Sequence, residues 1–123
     1  MNVVDSSGWL EYLADSERAD LFEEPILDTR RLLVPTISLY EVFRITCRQR
    51  SEAEAREAIA TMQQGRVVAL SAELALHAAQ LSLKHSLPMA DASILATAWS
   101  EEAELWTQDA DFEGLPNVRY FPR

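Results

Sequence analysis

Five short β-prone runs, separated by segments of helical periodicity, constrain this chain more tightly than any other feature. The runs are Asn2 to Asp5, Leu32 to Pro35, Arg66 to Leu70, Glu104 to Thr107 and Val118 to Phe121. Such an alternation builds βα units, whose crossovers cover both faces of a parallel sheet. The predicted class is therefore α/β: a mostly parallel four- to five-stranded sheet flanked by helices, with the last run as an edge strand. A chain of 123 residues has room for one hydrophobic core, and no repeat, low-complexity tract or linker divides it, so residues 1–123 are read as a single domain.

The helical segments carry their own punctuation. Apolar residues at 9, 10, 12 and 13 mark a first helix, which either Ser6 or Ser7 is placed to cap. Residues 18–30 read as a mostly polar surface stretch, interrupted at Pro25. Thr36 is placed to cap a helix striped by Leu39, Val42, Phe43, Thr46 and Cys47. Ser51 and Glu54 have capping-box spacing, Gly65 is a natural stop, and Ser71 caps a helix running through Lys84. Pro88 separates that helix from another over roughly 89–101.

Several functions are excluded early. No apolar run approaches the roughly 20 residues that span a bilayer, and the opening Met1-Asn2-Val3-Val4-Asp5 has no basic n-region, so a cytoplasmic protein without a membrane role is expected. The lone Cys47 sits among apolar residues and reads as a small buried hydrophobe; it allows neither an internal disulfide nor a cysteine-based metal site. Twenty acidic residues against 11 basic ones give a net charge of −9, which opposes a simple DNA-binding module. An acidic enzyme that meets phosphate through bound cations is compatible with that charge.

The acids have a pattern. In open parallel sheets the functional crevice lies beyond the carboxyl ends of the strands. Asp5 ends the first run and Asp109 follows the fourth by two residues, so both are expected over the same sheet edge. Asp91 shares a helix face with Ile94, Leu95 and Ala98, a carboxylate heading an apolar stripe. Glu41 lies between Tyr40 and Val42 in the helix that follows the second run, within reach of the same crevice. Asp111 accompanies Asp109 across Ala110.

Uncompensated carboxylates a few ångströms apart raise one another's pKa and cost stability, and a divalent cation relieves that cost. Oxygen-only ligands favour a hard ion such as Mg2+, with Mn2+ as the alternative, over zinc. His77 and His85 stand eight residues apart on one helix, too far to share an ion, and read as surface or packing residues.

Four segments together resemble PIN-domain nucleases, and more narrowly VapC-type toxins of toxin–antitoxin pairs. They are Val3-Val4-Asp5-Ser6-Ser7, Pro35-Thr36-Ile37-Ser38-Leu39-Tyr40-Glu41-Val42, the stretch from Leu87 to Ala98 around Asp91, and Leu105 to Phe112 around Asp109. The resemblance implies a PIN-like three-layer sandwich and a Mg2+-dependent endoribonuclease, acting on a structured RNA such as a tRNA or rRNA. A cognate VapB-type antitoxin would neutralise it, and the resemblance also implies a homodimer. Carried over by position, Asp5 and Asp91 match the main metal ligands, and Glu41 and Asp109 complete an acidic catalytic quartet. Asp111 matches a secondary acid, and Thr107 and Ser6 match hydroxyls that brace the site.

Arg44 and Arg48, three and seven residues beyond Glu41, are candidates for guiding an RNA backbone. A phosphoacceptor domain also clusters aspartates at strand ends, but Lys84 is the only lysine here and lies mid-helix. A non-catalytic PIN-like protein-binding module is the remaining alternative.

Overall fold

A computed structural model describes all of residues 1–123. The strands are β1 (Asn2–Val4), β2 (Leu32–Pro35), β3 (Arg66–Val68), β4 (Glu104–Thr107) and β5 (Val118–Tyr120). The helices are α1 (Ser6–Leu13), α2 (Asp20–Leu27), α3 (Thr36–Gln49), α4 (Glu52–Met62), α5 (Ala72–His85) and α6 (Met89–Ser100), with short 3-10 turns at Thr29–Arg31 and Ala110–Phe112. Every strand pairing is parallel, in the order β3-β2-β1-β4-β5.

This order puts β1 at the centre. After β1 the chain builds outward through β2 and β3, then crosses back to place β4 on the other side of β1 and β5 beyond it. The reversal makes the carboxyl ends of β1 and β4 the switch point, where a crevice forms because neighbouring crossovers leave in opposite directions. Val4 pairs in register with Trp106, so Asp5 and Thr107 emerge side by side.

Strand alternation divides the core in two. Val3, Leu33 and Leu105 face a cluster built from α5, α6 and Phe112, including Leu81, Ile94 and Leu95. Val4, Leu32, Val34 and Trp106 face the opposite cluster, where Trp9, Phe22, Ile26, Val42 and Met62 come from α1 to α4. The result is the expected three-layer sandwich, a parallel sheet with helices on both faces.

Several local expectations need correction. Residues 18–30 are not a surface stretch broken at Pro25: Pro25 lies inside α2, and Phe22 and Ile26 are buried core residues. The acids on the outer face of this short helix make the segment look polar, while Phe22, Pro25 and Ile26 turn inward. Neither serine caps α1; Asp5 does, accepting from Gly8 N. Thr36 does not cap α3 either, since its hydroxyl accepts from Leu70 N instead. The third strand ends at Val68, two residues short of the expected run. Cys47 is only partly buried, because α3 turns that position toward its rim. Ser51 and Ser71 do cap α4 and α5. Gly65 matters for close approach, since a Cβ there would lie 2.9 Å from both Leu32 Cγ and the Leu32 carbonyl oxygen.

If α2 belongs to the core, Phe22→Ala leaves a cavity and costs about 3–5 kcal/mol. Chemical denaturation of the variant checks this, and a loss under about 1 kcal/mol would return α2 to the surface.

Candidate active site

Asp5 begins the site. It is 3% exposed, at the junction of β1 and α1. Its Oδ1 accepts from Gly8 N at 3.1 Å, Ser7 Oγ lies 3.0 Å from each carboxylate oxygen, and Thr107 Oγ1 donates to Oδ2 at 3.0 Å. Burial still raises its pKa to about 6, against the opposing pull of the Gly8, Thr107 and Ser7 hydrogen bonds; the charge of Asp109 adds to the rise. A helix N-terminus ordinarily favours a carboxylate, but here desolvation is larger.

Thr107 is the link between strands. Besides donating to Asp5, its Oγ1 accepts from Asp109 N at 2.9 Å, and Asp109 Oδ1 in turn accepts from Asp111 N at 2.9 Å. The loop after β4 thus folds back on itself and presents two carboxylates. Asp91 arrives from the first turn of α6, and carboxylate oxygens of Asp91, Asp109 and Asp111 lie within 4.8 Å of one another.

Asp91 is the most perturbed acid of this group. Burial, then the charges of Asp109, Asp5, Asp111 and Glu41, raise its pKa to about 7. All five acids therefore share one field. Glu41, in α3, is held by Ser6, whose Oγ donates to Glu41 Oε1 at 2.6 Å. None of the five enters an ion pair; every Arg–carboxylate pair in the molecule lies elsewhere.

The structure thus brings Asp5, Glu41, Asp91, Asp109 and Asp111 together, with Ser6 and Thr107 beside them. Asp111, expected as a secondary acid, stands in the tightest trio, while Asp5 and Glu41 flank it. Arg44 and Arg48 are exposed on α3, with no hydrogen bond or ion pair to any of these acids. Ser7 and Gln108 were missed by sequence reasoning. Ser7 looked like an alternative cap, and nothing local distinguishes Gln108 from any other loop residue.

An oxygen-only donor set with uncompensated charge fits a hard divalent cation. Asp91, Asp109 and Asp111 would hold it directly, and the charge of Asp5 acts on Asp91 beside them. No helix is long and apolar enough to cross a membrane.

A sequence model of the family described as PIN domain matches residues 3–117. No curated protein matches the chain in sequence. Among solved structures, a toxin–antitoxin complex from Klebsiella pneumoniae has a chain with 22% identity and a TM-score of 0.81, each chain covered in full. The sarcin-ricin loop cleaving toxin VapC20 of Mycobacterium tuberculosis shares 21% identity at a TM-score of 0.79, over 97% of this chain and 99% of the toxin. The DNA-bound VapBC of Salmonella typhimurium gives 17% identity and a TM-score of 0.76, over 98% of this chain and 96% of the matched one. These likenesses establish the shared fold.

Asp5 and Asp91 titrate above their ordinary value of 3.8, so each favours the fold only while protonated. That contribution is complete below about pH 4 and disappears as pH rises through about 6 and 7. Metal-free protein therefore loses stability across this window. Asp91→Asn removes one of the crowded charges and should raise the Tm of chelated protein by on the order of 5 °C at roughly pH 8, with no gain near pH 4. Thermal melts of both proteins in chelator across that range test it, and parallel profiles would contradict the crowding.

Proposed function

Since the chain belongs to the PIN-domain family, we propose that it is a divalent-metal-dependent endoribonuclease, the toxin of a VapBC-type pair neutralised by a cognate VapB-type antitoxin. The observation carrying this reading is the set of five unpaired acids at one sheet edge, with Asp91 pushed up to about 7. Mg2+ is the preferred ion and Mn2+ the alternative, because the donors are all oxygen. Structured RNA, tRNA or rRNA, is the proposed substrate, and a homodimer the proposed assembly. The toxin–antitoxin neighbours support the partner.

A bound divalent ion would offset phosphate charge and lower the pKa of a nearby water. The protein's own groups do the rest. Asp91 would be a main ligand together with Asp109 and Asp111, whose oxygens lie within 4.8 Å of one another, and Asp5 would complete the ligand set from the end of β1. Glu41 Oε1 is held by Ser6 Oγ, which leaves Oε2 without a protein partner. That oxygen is placed to accept a proton from the attacking water. As the water oxygen bonds to phosphorus, the bond from phosphorus to the leaving ribose oxygen breaks, and that oxygen takes up a proton. Thr107 keeps Asp5 and the Asp109 loop in register while this happens. Arg44 and Arg48 are proposed to guide the RNA backbone along α3.

Asp5→Asn and Asp91→Asn should reduce cleavage of a structured RNA to background while circular dichroism stays unchanged, because asparagine keeps the size and, at Asp5, the capping oxygen. Ser6→Ala, which only frees Glu41, should lower the rate by about 10–100-fold. Cleavage assays with Mg2+, repeated in chelator, test both. Undiminished cleavage by the two asparagine variants would overturn the assignment.

A further inference from the structure

We propose that Arg18, which lies outside all the acidic segments, is a positioning residue that holds Asp109 and Asp111 in place through Gln108. The inference rests on the reading of Asp91, Asp109 and Asp111 as ion ligands. Arg18 sits in the connection between α1 and α2. Its Nε donates to Gln108 Oε1 at 2.6 Å, and one terminal nitrogen donates to the carbonyl oxygens of Phe121 at 3.0 Å and Pro122 at 3.4 Å. Glu11 lies 3.8 Å from Nε in a partly exposed pair, which contributes little by itself. The close partners are thus neutral acceptors from two distant parts of the chain.

Strand alternation explains why the link matters. Leu105 and Thr107 face one side of the sheet, where Thr107 meets Asp5; Trp106 faces the other, where it packs near Phe121. Continuing that alternation, Gln108 turns away from the acids and toward Arg18, and it is 3% exposed. The backbone leading into Asp109 is therefore gripped from both faces, by Asp5 through Thr107 and by Arg18 through Gln108. Without the second grip the peptide between Thr107 and Asp109 can rotate, and the carboxylates of Asp109 and Asp111 lose their approach to Asp91. A planar guanidinium is suited to this task because its donors diverge at set angles, whereas a lysine ammonium offers one flexible point.

Arg18 also ties down Phe121 and Pro122, so a purely structural role must be separated from positioning. Gln108→Met does so, since it removes the loop link and leaves the carbonyl bonds of Arg18 in place. Mn2+ affinity, read by electron paramagnetic resonance of the full-length protein well below its Tm, is the measurement. Gln108→Met and Arg18→Met are each expected to weaken Mn2+ binding about 10-fold, a loss in the range seen when groups behind metal ligands are removed. The double variant should bind no more weakly than Arg18→Met, because both changes cut one link. In metal-free protein, the amide resonances of Asp109 and Asp111 should shift in Gln108→Met.

Unchanged Mn2+ affinity in Gln108→Met would overturn the proposal, whatever happens to its Tm. A wild-type protein that takes up no Mn2+ would instead overturn the metal-site reading beneath it.

Discussion

A carboxylate that is nearly out of reach of solvent closes the carboxyl end of the central strand, and both the fold and the site are organised around it. Asp5 accepts from the α1 backbone, from the Ser7 hydroxyl and from Thr107 of β4. It thereby joins the first helix to the neighbouring strand at the switch point of the sheet. Those donors are enough to hold the side chain but not to offset its desolvation, which is why its pKa rises to about 6. The acid of the cleft with the most hydrogen-bond donors is also one that is poorly compensated. Such a group costs the metal-free protein stability and increases its attraction for a cation.

The net charge of −9 looks different once the cleft is located. Five of the 20 acidic residues stand in it without a basic partner, while six of the others pair with arginines, as in Arg56–Glu52, Arg66–Glu101 and Arg119–Glu104. A sizeable share of the repulsion that opposes nucleic acid therefore lies at the place where a divalent ion would reduce it. An acidic total and a phosphate-directed site are compatible on these terms, because the local field at the sheet edge changes with ion binding while the rest of the surface does not.

The layer architecture was legible because strand alternation and helix punctuation act locally. Val3 and Val4, or Leu105 and Trp106, are adjacent residues that face different cores, and no long-range information is needed to expect it. The acids were legible for a related reason: in a parallel sheet, residues just past strand ends gather whatever their separation in sequence. The apolar stripe headed by Asp91 discriminates less than its spacing suggests. Ala92, Ser93, Ala96 and Thr97 are buried as well as Ile94, Leu95 and Ala98, so α6 is enclosed on nearly every side and a one-face stripe had little to discriminate. What places Asp91 is its position in the first turn, at the sheet edge. Other features were beyond local reading. Whether Ser6 or Ser7 contacts Glu41 depends on how α3 packs, and Gln108 acquires its role only from Arg18, 90 residues away.

The kind of donor that braces the acids also bears on function. Asp5 is oriented by hydroxyls and a backbone amide, Glu41 by the Ser6 hydroxyl, and Asp109 by the amide of Asp111. An arginine or lysine would orient a carboxylate more strongly, but it would also cancel its charge and occupy the oxygens a cation needs. Hydroxyls and amides fix direction while leaving nearly the whole negative charge in place. Cationic side chains are kept one layer back: Arg18 reaches the loop only through the neutral amide of Gln108. A fold that stabilised these acids simply for its own sake would bring the guanidinium to the carboxylates. Keeping it at a distance makes sense for a site whose positive charge comes from outside the chain.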